Sequence, residues 1–300
     1  MKMTLLGSLG HINQFVIPRL IADGNEVTVI TTNPDRQEAI RTLGAQPAVG
    51  TMTDAAFLTQ QFTGRDVVYL MFSSHGNPAA VTNMTASAQQ QADIYKQAIQ
   101  QSGVKHVVDL SSVGANLGPE VGGLYIYNII ERTLKQLDDV QYTFVRPVGF
   151  YTNLFAYIPG IKAHHEIATN LSGTMKNAWV APSDIAEVVY QALSSATAQT
   201  ENQVHYAASD AFTGNELVAA LRTALDMPDL KWHELTDAEQ LAHDKAIGFS
   251  KEWAEAATKM NSVRRTEDFY ADFRNHIQDW GQVKLTDFLP DFVAQYQKQE

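Results

Sequence analysis

Six short apolar runs recur through the first half of the chain, and each is followed by a stretch long enough for a helix. This alternation constrains the fold more than any other feature. The runs are Met3–Leu6, Glu26–Thr31, Gln46–Val49, Asp66–Met71, Lys105–Leu110 and Gln141–Val145. Several are apolar throughout rather than alternating in polarity, as strands are when a parallel sheet is covered on both faces. His11–Asp23, Pro34–Leu43, Asp54–Phe62, Asn83–Ser102 and Tyr127–Leu137 read as the intervening helices. Asp23-Gly24 and Ser102-Gly103 place glycine where a helix ends in a left-handed residue, and Pro18 predicts a kink. The expectation is a doubly wound, Rossmann-type parallel α/β sheet over residues 1–150.

Beyond Pro147 the pattern changes. Gly149–Gly173 reads as irregular chain with one short helix, and Ser183 as the cap of a helix over Ser183–Ser194. Thr213/Glu216 and Thr236/Glu239 each match a capping box. Residues 151–300 are thus expected to form a smaller, mainly helical substrate-binding lobe, with 175–210 returning to the sheet. Trp253, Phe269, Tyr270, Phe273 and Trp280 are expected to anchor its helices.

Composition excludes several functions. There is no cysteine among the 300 residues, which removes thiol catalysis and Cys-ligated metal. A net charge of −11 offers no field for phosphate backbones or anionic lipid, so neither nucleic acid nor membrane is an expected partner. The apolar start at Met1 is short and interrupted by glycine, unlike a secretory leader, so the expected compartment is the cytoplasm. A homodimer is the default assembly. His164-His165 has no second set of ligands at metal spacing, so no metal is expected.

Two segments carry chemistry. Gly7-Ser8-Leu9-Gly10-His11-Ile12-Asn13 joins the first strand to the first helix. Glycines there allow a tight turn and close approach to a pyrophosphate, whose charge the helix N-terminus stabilises. The spacing is G-x-x-G-x-x-N, with Asn13 where a third glycine often stands. At the second strand end, Thr31, Thr32 and Asn33 replace the usual carboxylate that holds a ribose hydroxyl, and Arg36 follows. A 2′-phosphate would meet no repulsion and could pair with Arg36, which favours NADP over NAD. Ser73-Ser74 and Ser111-Ser112 end the fourth and fifth strands, on the sheet edge where ligands of such sheets sit. Phe150, Tyr151, Phe155 and Tyr157 read either as a flat apolar pocket or, more simply, as core.

In order along the chain, Gly7-Ser-Leu-Gly10-His-Ile12, Gly103 through Ser112, Glu131-Arg-Thr-Leu134, Tyr142 through Asn153 and Trp179 through Ala186 resemble the NmrA-like, atypical short-chain dehydrogenase/reductase group, including its NAD(P)H:quinone oxidoreductase-like members. The resemblance covers residues 3 to about 195. It implies a bound NADP or NAD running along the strand ends, past Phe72, Ser73, Ser74, Ser111, Pro147 and Phe150. It also implies a small-molecule substrate bordered by Tyr127 and Asn153.

The departures from the group bear on mechanism. Short-chain reductases use Tyr-x-x-x-Lys, in which the Lys lowers the phenol pKa. Aligning Glu131 with the Glu of extended members leaves Tyr127 at the Lys position and Gly123 at the Tyr position. Shifting the register instead pairs Tyr127 with Glu131, and a carboxylate would raise the phenol pKa. Alcohol–ketone chemistry, and with it sugar epimerisation, is therefore disfavoured. The family's Arg at the second strand end aligns with Thr32, and its Asp after the third strand with Thr51. The resemblance then implies one of two functions: an oxidoreductase passing hydride to a small conjugated acceptor such as a quinone, with Tyr127 as the polar group near it, or an NAD(P)-binding redox sensor without turnover.

Overall fold

A computed structural model describes residues 1–72 and 82–298. The central sheet has seven parallel strands: β1 (Lys2–Leu5), β2 (Glu26–Thr31), β3 (Gln46–Val49), β4 (Val67–Met71), β5 (His106–Leu110), β6 (Gln141–Pro147) and, far along the chain, β10 (Gln203–Ala207). Their order is β10-β6-β5-β4-β1-β2-β3, with the topological switch between β1 and β4. The helices of this half are α1 (Asn13–Ala22), α2 (Gln37–Thr42), α3 (Ala55–Phe62), α4 (Met84–Ser102) and α5 (Tyr125–Leu134).

Side chains alternate across each strand, so one strand feeds two cores. Met3, Leu5, Val27, Val29, Tyr69 and Val108 pack under α1 and a later helix, α7 (Pro182–Ser195). Val68, Leu70, Val107, Tyr142 and Phe144 pack beneath α3, α4 and α5. This double coverage explains the near-continuous apolar runs. Asp54 and Asn83 cap α3 and α4 through their side chains, and Gly103 closes α4 at φ 75°.

The remainder departs from a simple helical lobe. After β7 (Gly149–Phe150), a 3-10 turn over Tyr151–Tyr157 leads into α6 (Ile158–His164), β8 (Glu166–Thr169) and β9 (Asn177–Val180). Then follow α7, β10, β11 (Asp210–Phe212), α8 (Gly214–Ala224), β12 (Lys231–Glu234), α9 (Asp237–Ala246), α10 (Lys251–Val263), α11 (Ala271–His276) and α12 (Leu285–Lys298). β11, β9 and β7 form a small mixed sheet, and β12 pairs in parallel with β8. These strands are two to four residues long and mixed in polarity, below what periodicity detects. Both capping boxes form, at Thr213 and Thr236. Ser183 does not cap α7: the helix starts one residue earlier at Pro182, whose missing N–H costs nothing in the first turn.

The aromatic cluster is core. Tyr151 stacks on Phe288 at 4.8 Å, Phe155 stacks on Phe288, and Tyr157 meets the edge of Trp232. Together these rings fasten α12 and β12 onto the 3-10 turn.

Candidate active site

The glycine loop sits at the switch point, at the carboxyl ends of β1 and β4. Gly7 has φ +94°, and a Cβ there would lie 2.6 Å from Met71 Sδ. Ser8 follows at φ 52°, so two successive residues are left-handed. The loop needs a clasp, and Asn13 supplies it: Nδ2 donates to the carbonyls of Leu6 and Ser8, both at 2.8 Å. Asn13 thus closes the loop from beneath, where a third glycine would merely have allowed close packing. Gly10 N–H donates to the Gly7 carbonyl at 3.1 Å, and a Cβ on Gly10 would crowd that same oxygen at 3.0 Å. Leu9, His11 and Ile12 donate no backbone hydrogen bond among the described residues. Ile12 is buried and His11 exposed. A tight turn that only glycine can make, and unspent N–H donors at a helix start, fit a pyrophosphate.

The end of β2 adjoins this loop. The Ser8 hydroxyl donates to Thr31 Oγ1 at 3.0 Å, and Thr31 in turn donates to the Asn33 carbonyl at 3.2 Å. Asn33 Oδ1 accepts from Asp35 N–H, capping the turn that leads to α2. Thr31 is buried, while Thr32, Asn33 and Arg36 are exposed. Arg36 reaches back across the loop, its Nη1 donating to the Leu9 carbonyl at 3.4 Å. The Arg36 guanidinium thus lies against the glycine loop beyond the end of β2, with no carboxylate at the strand end itself.

Farther along the edge, Phe72 follows β4, half-buried; Ser73 and Ser74 lie outside the described residues. Ser111 follows β5, and its hydroxyl donates to Glu131 Oε1 at 2.6 Å in a buried setting. Glu131 takes Arg146 in a two-pronged pair, Nε at 2.8 Å and Nη2 at 2.7 Å, and Lys135 at 3.1 Å. Arg146 Nη1 also donates to the Tyr206 hydroxyl and to Asp272, each at 3.2 Å. Burial pushes the Glu131 carboxyl up, but the Arg146, Ser111 and Lys135 contacts outweigh it and hold it below the usual carboxylate range. The pairing of Tyr127 with Glu131 does not occur, because the Arg146–Ser111–Lys135 set takes the carboxylate. A hydroxyl has one proton to give, and Ser111 gives its to Glu131. Toward a ligand Ser111 is an acceptor.

Tyr127, on α5, opens instead onto a cavity of about 570 Å³ between α4, α5 and α10. Phe72, Gln91, Ile126, Trp253 and Met260 also line it, and no Asp, Glu, Lys, Arg or His is among the described lining residues. Trp253 lines this cavity, whereas Phe269, Tyr270, Phe273 and Trp280 contact one another edge to face as expected of anchors. α10 comes close because Gly122, at φ 58°, has no Cβ to strike the Ala256 carbonyl. Burial, with the Asp109 charge, pushes the Tyr127 phenol up to about 12. Asp109 lies on β5, 2% exposed, with Oδ1 unpaired. Burial and the Glu131 charge raise its carboxyl well above the ordinary value. Pro147 closes β6, buried, and its carbonyl accepts from Val113 N–H at 3.0 Å. Phe150 is half-buried in β7, and Asn153 is exposed on the 3-10 turn.

Residues 7–196, well over half the chain, match the NAD(P)H-binding family. The chain belongs to this family. A (4-alkanoyl-5-oxo-2,5-dihydrofuran-3-yl)methyl phosphate reductase of Streptomyces griseus is 28% identical to it over 238 residues, 79% of this chain and 78% of that one. The NADPH-dependent quinone oxidoreductase of Escherichia coli, solved with NADPH, shares the fold at a TM-score of 0.77 and 21% identity, over 97% of this chain and 99% of that one. NmrA, a negative transcriptional regulator, does so at 0.70 and 13% identity, over 99% and 97%. These likenesses establish the NAD(P)H-binding Rossmann fold and agree with the resemblance read from the sequence. The motifs give Asp109, Arg146 and Asp272 no role, and they mark Asn13 only as standing where a third glycine often does. A charged Arg146 inside the apolar run Thr143–Pro147 was the one available signal.

Proposed function

We propose that this NAD(P)H-binding protein is a reductase that prefers NADPH and passes hydride to a small conjugated acceptor, a quinone or an enone. The observation that carries the reading is the commitment of the Ser111 proton to buried Glu131. With Tyr127 held neutral and no Lys beside it, no donor pair remains to polarise an isolated ketone. A conjugated acceptor needs none, because its π-system spreads the incoming charge.

When bound, the reduced nicotinamide supplies the hydride. The Gly7–Ile12 loop would hold the pyrophosphate and Arg36 a 2′-phosphate. The uncharged cavity beside Tyr127 would take the acceptor ring and exclude water. Two electrons and one proton pass to the acceptor with the hydride, and a second proton follows from solvent, so a quinone leaves as hydroquinone. The named substrate of the Streptomyces relative, an oxo-dihydrofuran with an alkanoyl group beside its ring double bond, has this conjugated character.

The test is NADPH oxidation followed optically with menadione and, in parallel, cyclohexanone. Turnover of menadione alone is the expected result. Equal turnover of cyclohexanone would overturn the acceptor assignment, and tight NADPH binding without turnover of either would favour the sensor.

A further inference from the structure

Near the C-terminal end of α10 lies a second cavity, of about 400 Å³, with Thr174, Lys176, Arg264, Thr266, Tyr270 and Arg274 in its wall. Its character is the reverse of the first. Three cations face it, and the one acidic lining residue, Glu267, sits 3.6 Å from Arg274. The Thr266 hydroxyl is spent on the Val263 carbonyl. The charged groups are therefore what a ligand would meet.

Arg264 is the unusual member. It is 8% exposed, yet its buried Nη2 has no hydrogen-bond partner, and it makes no ion pair among the described residues. One face of the guanidinium rests over the Trp179 ring at 5.2 Å, and Nη2 lies 3.3 Å from where a Cβ on Gly149 would stand. Stacking on Trp179 satisfies the flat face but none of the N–H donors. A guanidinium stays charged in any protein setting, so a buried one without an anion is costly unless a ligand supplies it. Glycine at 149 has no side chain to displace that edge of the guanidinium from Trp179, and Arg264 forms part of the cavity wall. A rigid fork in the wall, with exposed Lys176 and with exposed Arg274 held by the Glu267 carbonyl at 2.7 Å, suits a dianion with several oxygens.

We propose that this cavity is a binding site for the phosphate group of a small organic ligand, with Arg264 as the buried fork and Lys176 and Arg274 as outer charges. It stands apart from the glycine loop and does not depend on the reductase reading. The phosphate could belong to the acceptor itself or to a separate effector, and the two are separable by experiment.

The probe is phenyl phosphate, titrated by calorimetry into protein saturated with NADP⁺ so that the cofactor's own phosphate sites are filled. Phenol serves as the neutral control. Phenyl phosphate is expected to bind and phenol not to. Arg264→Gln should weaken phenyl phosphate at least tenfold while leaving NADP⁺ affinity unchanged, which also reports that the variant is folded. The exposed pair Lys176→Gln and Arg274→Gln, combined, should weaken it several-fold and flatten its salt dependence, and that pair carries the test if Arg264→Gln does not fold. No binding by the wild type, or equal binding by the variants, would overturn the site. Competition between phenyl phosphate and menadione for turnover would place the phosphate on the acceptor, and binding without competition would make it an effector. Either supports the site.

Discussion

Replacing Glu131 with Gln removes the charge at the centre of the buried cluster while keeping its shape. The Glu131 and Arg146 side chains are only 3% and 6% exposed, so the pair is effectively out of water. Removing one partner of such a pair costs about 3–5 kcal/mol, because the other charge is left buried. Here Arg146 keeps Asp272 and Tyr206, each at 3.2 Å, and a glutamine still accepts from Ser111. The lower end, about 3 kcal/mol, is therefore expected. For a chain of this size that corresponds to a fall in Tm of roughly 6 °C. The pH dependence fixes the sign. Glu131 has a folded pKa below its ordinary 4.5, so its contribution is full above that value and is lost as pH falls through the folded pKa. The gap between wild type and Glu131→Gln should thus be widest at neutral pH and close under acid. Melting curves at pH 7 and in acid below pH 4.5 measure both. A fall under about 1 °C at pH 7, or a gap that does not narrow in acid, would refute the reasoning. The paired change Glu131→Leu with Arg146→Met should recover most of the loss, since the charges that lose a partner, Lys135 and Asp272, both reach solvent.

Gly10→Glu should lower NADPH affinity at least tenfold by setting a carboxylate against the pyrophosphate; unchanged affinity in a fluorescence titration would show that the loop is only a turn. Arg36→Ala should weaken NADPH about tenfold and leave NADH unaltered, because its effect runs through the 2′-phosphate; equal loss for both cofactors would refute that role. Tyr127→Phe should change menadione turnover less than about threefold, and no rate change between pH 6 and 9 should trace to this phenol, which stays protonated until about pH 12. A hundredfold fall would make it a proton donor. Gly122→Ala should cost about 1–3 kcal/mol in a denaturant melt, because its methyl meets the Ala256 backbone.

The six sheet strands of the first half were legible because burial on both faces writes itself as unbroken apolar runs, and their ends matched within two residues. β10 was harder: Gln203–Ala207 sits on the sheet edge with only Tyr206 and Ala207 buried, so its pattern is weak. The loop glycines were legible from spacing, but the Asn13 clasp was not, because its two acceptors are backbone carbonyls and leave no trace in side-chain identity. Ser111 was placed correctly at the strand end, but its direction was not. That depends on Glu131, twenty positions along, being held by Arg146 on another strand. Arg264 carried no sequence signal, since what distinguishes it is the absence of a counter-ion in three dimensions.

The seventh strand has a consequence for how the chain is made. β6 ends at Pro147, but its neighbour β10 begins only at Gln203, after β7, α6, β8, β9 and α7 have been laid down. During synthesis β6 is therefore an open edge, with Thr143 through Pro147 unpaired on one side until the later segment emerges. Arg146 lies within that stretch, and until Tyr206 and Asp272 arrive its Nη1 lacks both of its partners. A charged side chain in an unfinished edge discourages a neighbouring nascent chain from pairing there. Closing of the sheet thus waits on a late segment: β10 pairs the edge, and Tyr206 and Asp272 complete the arginine's partners.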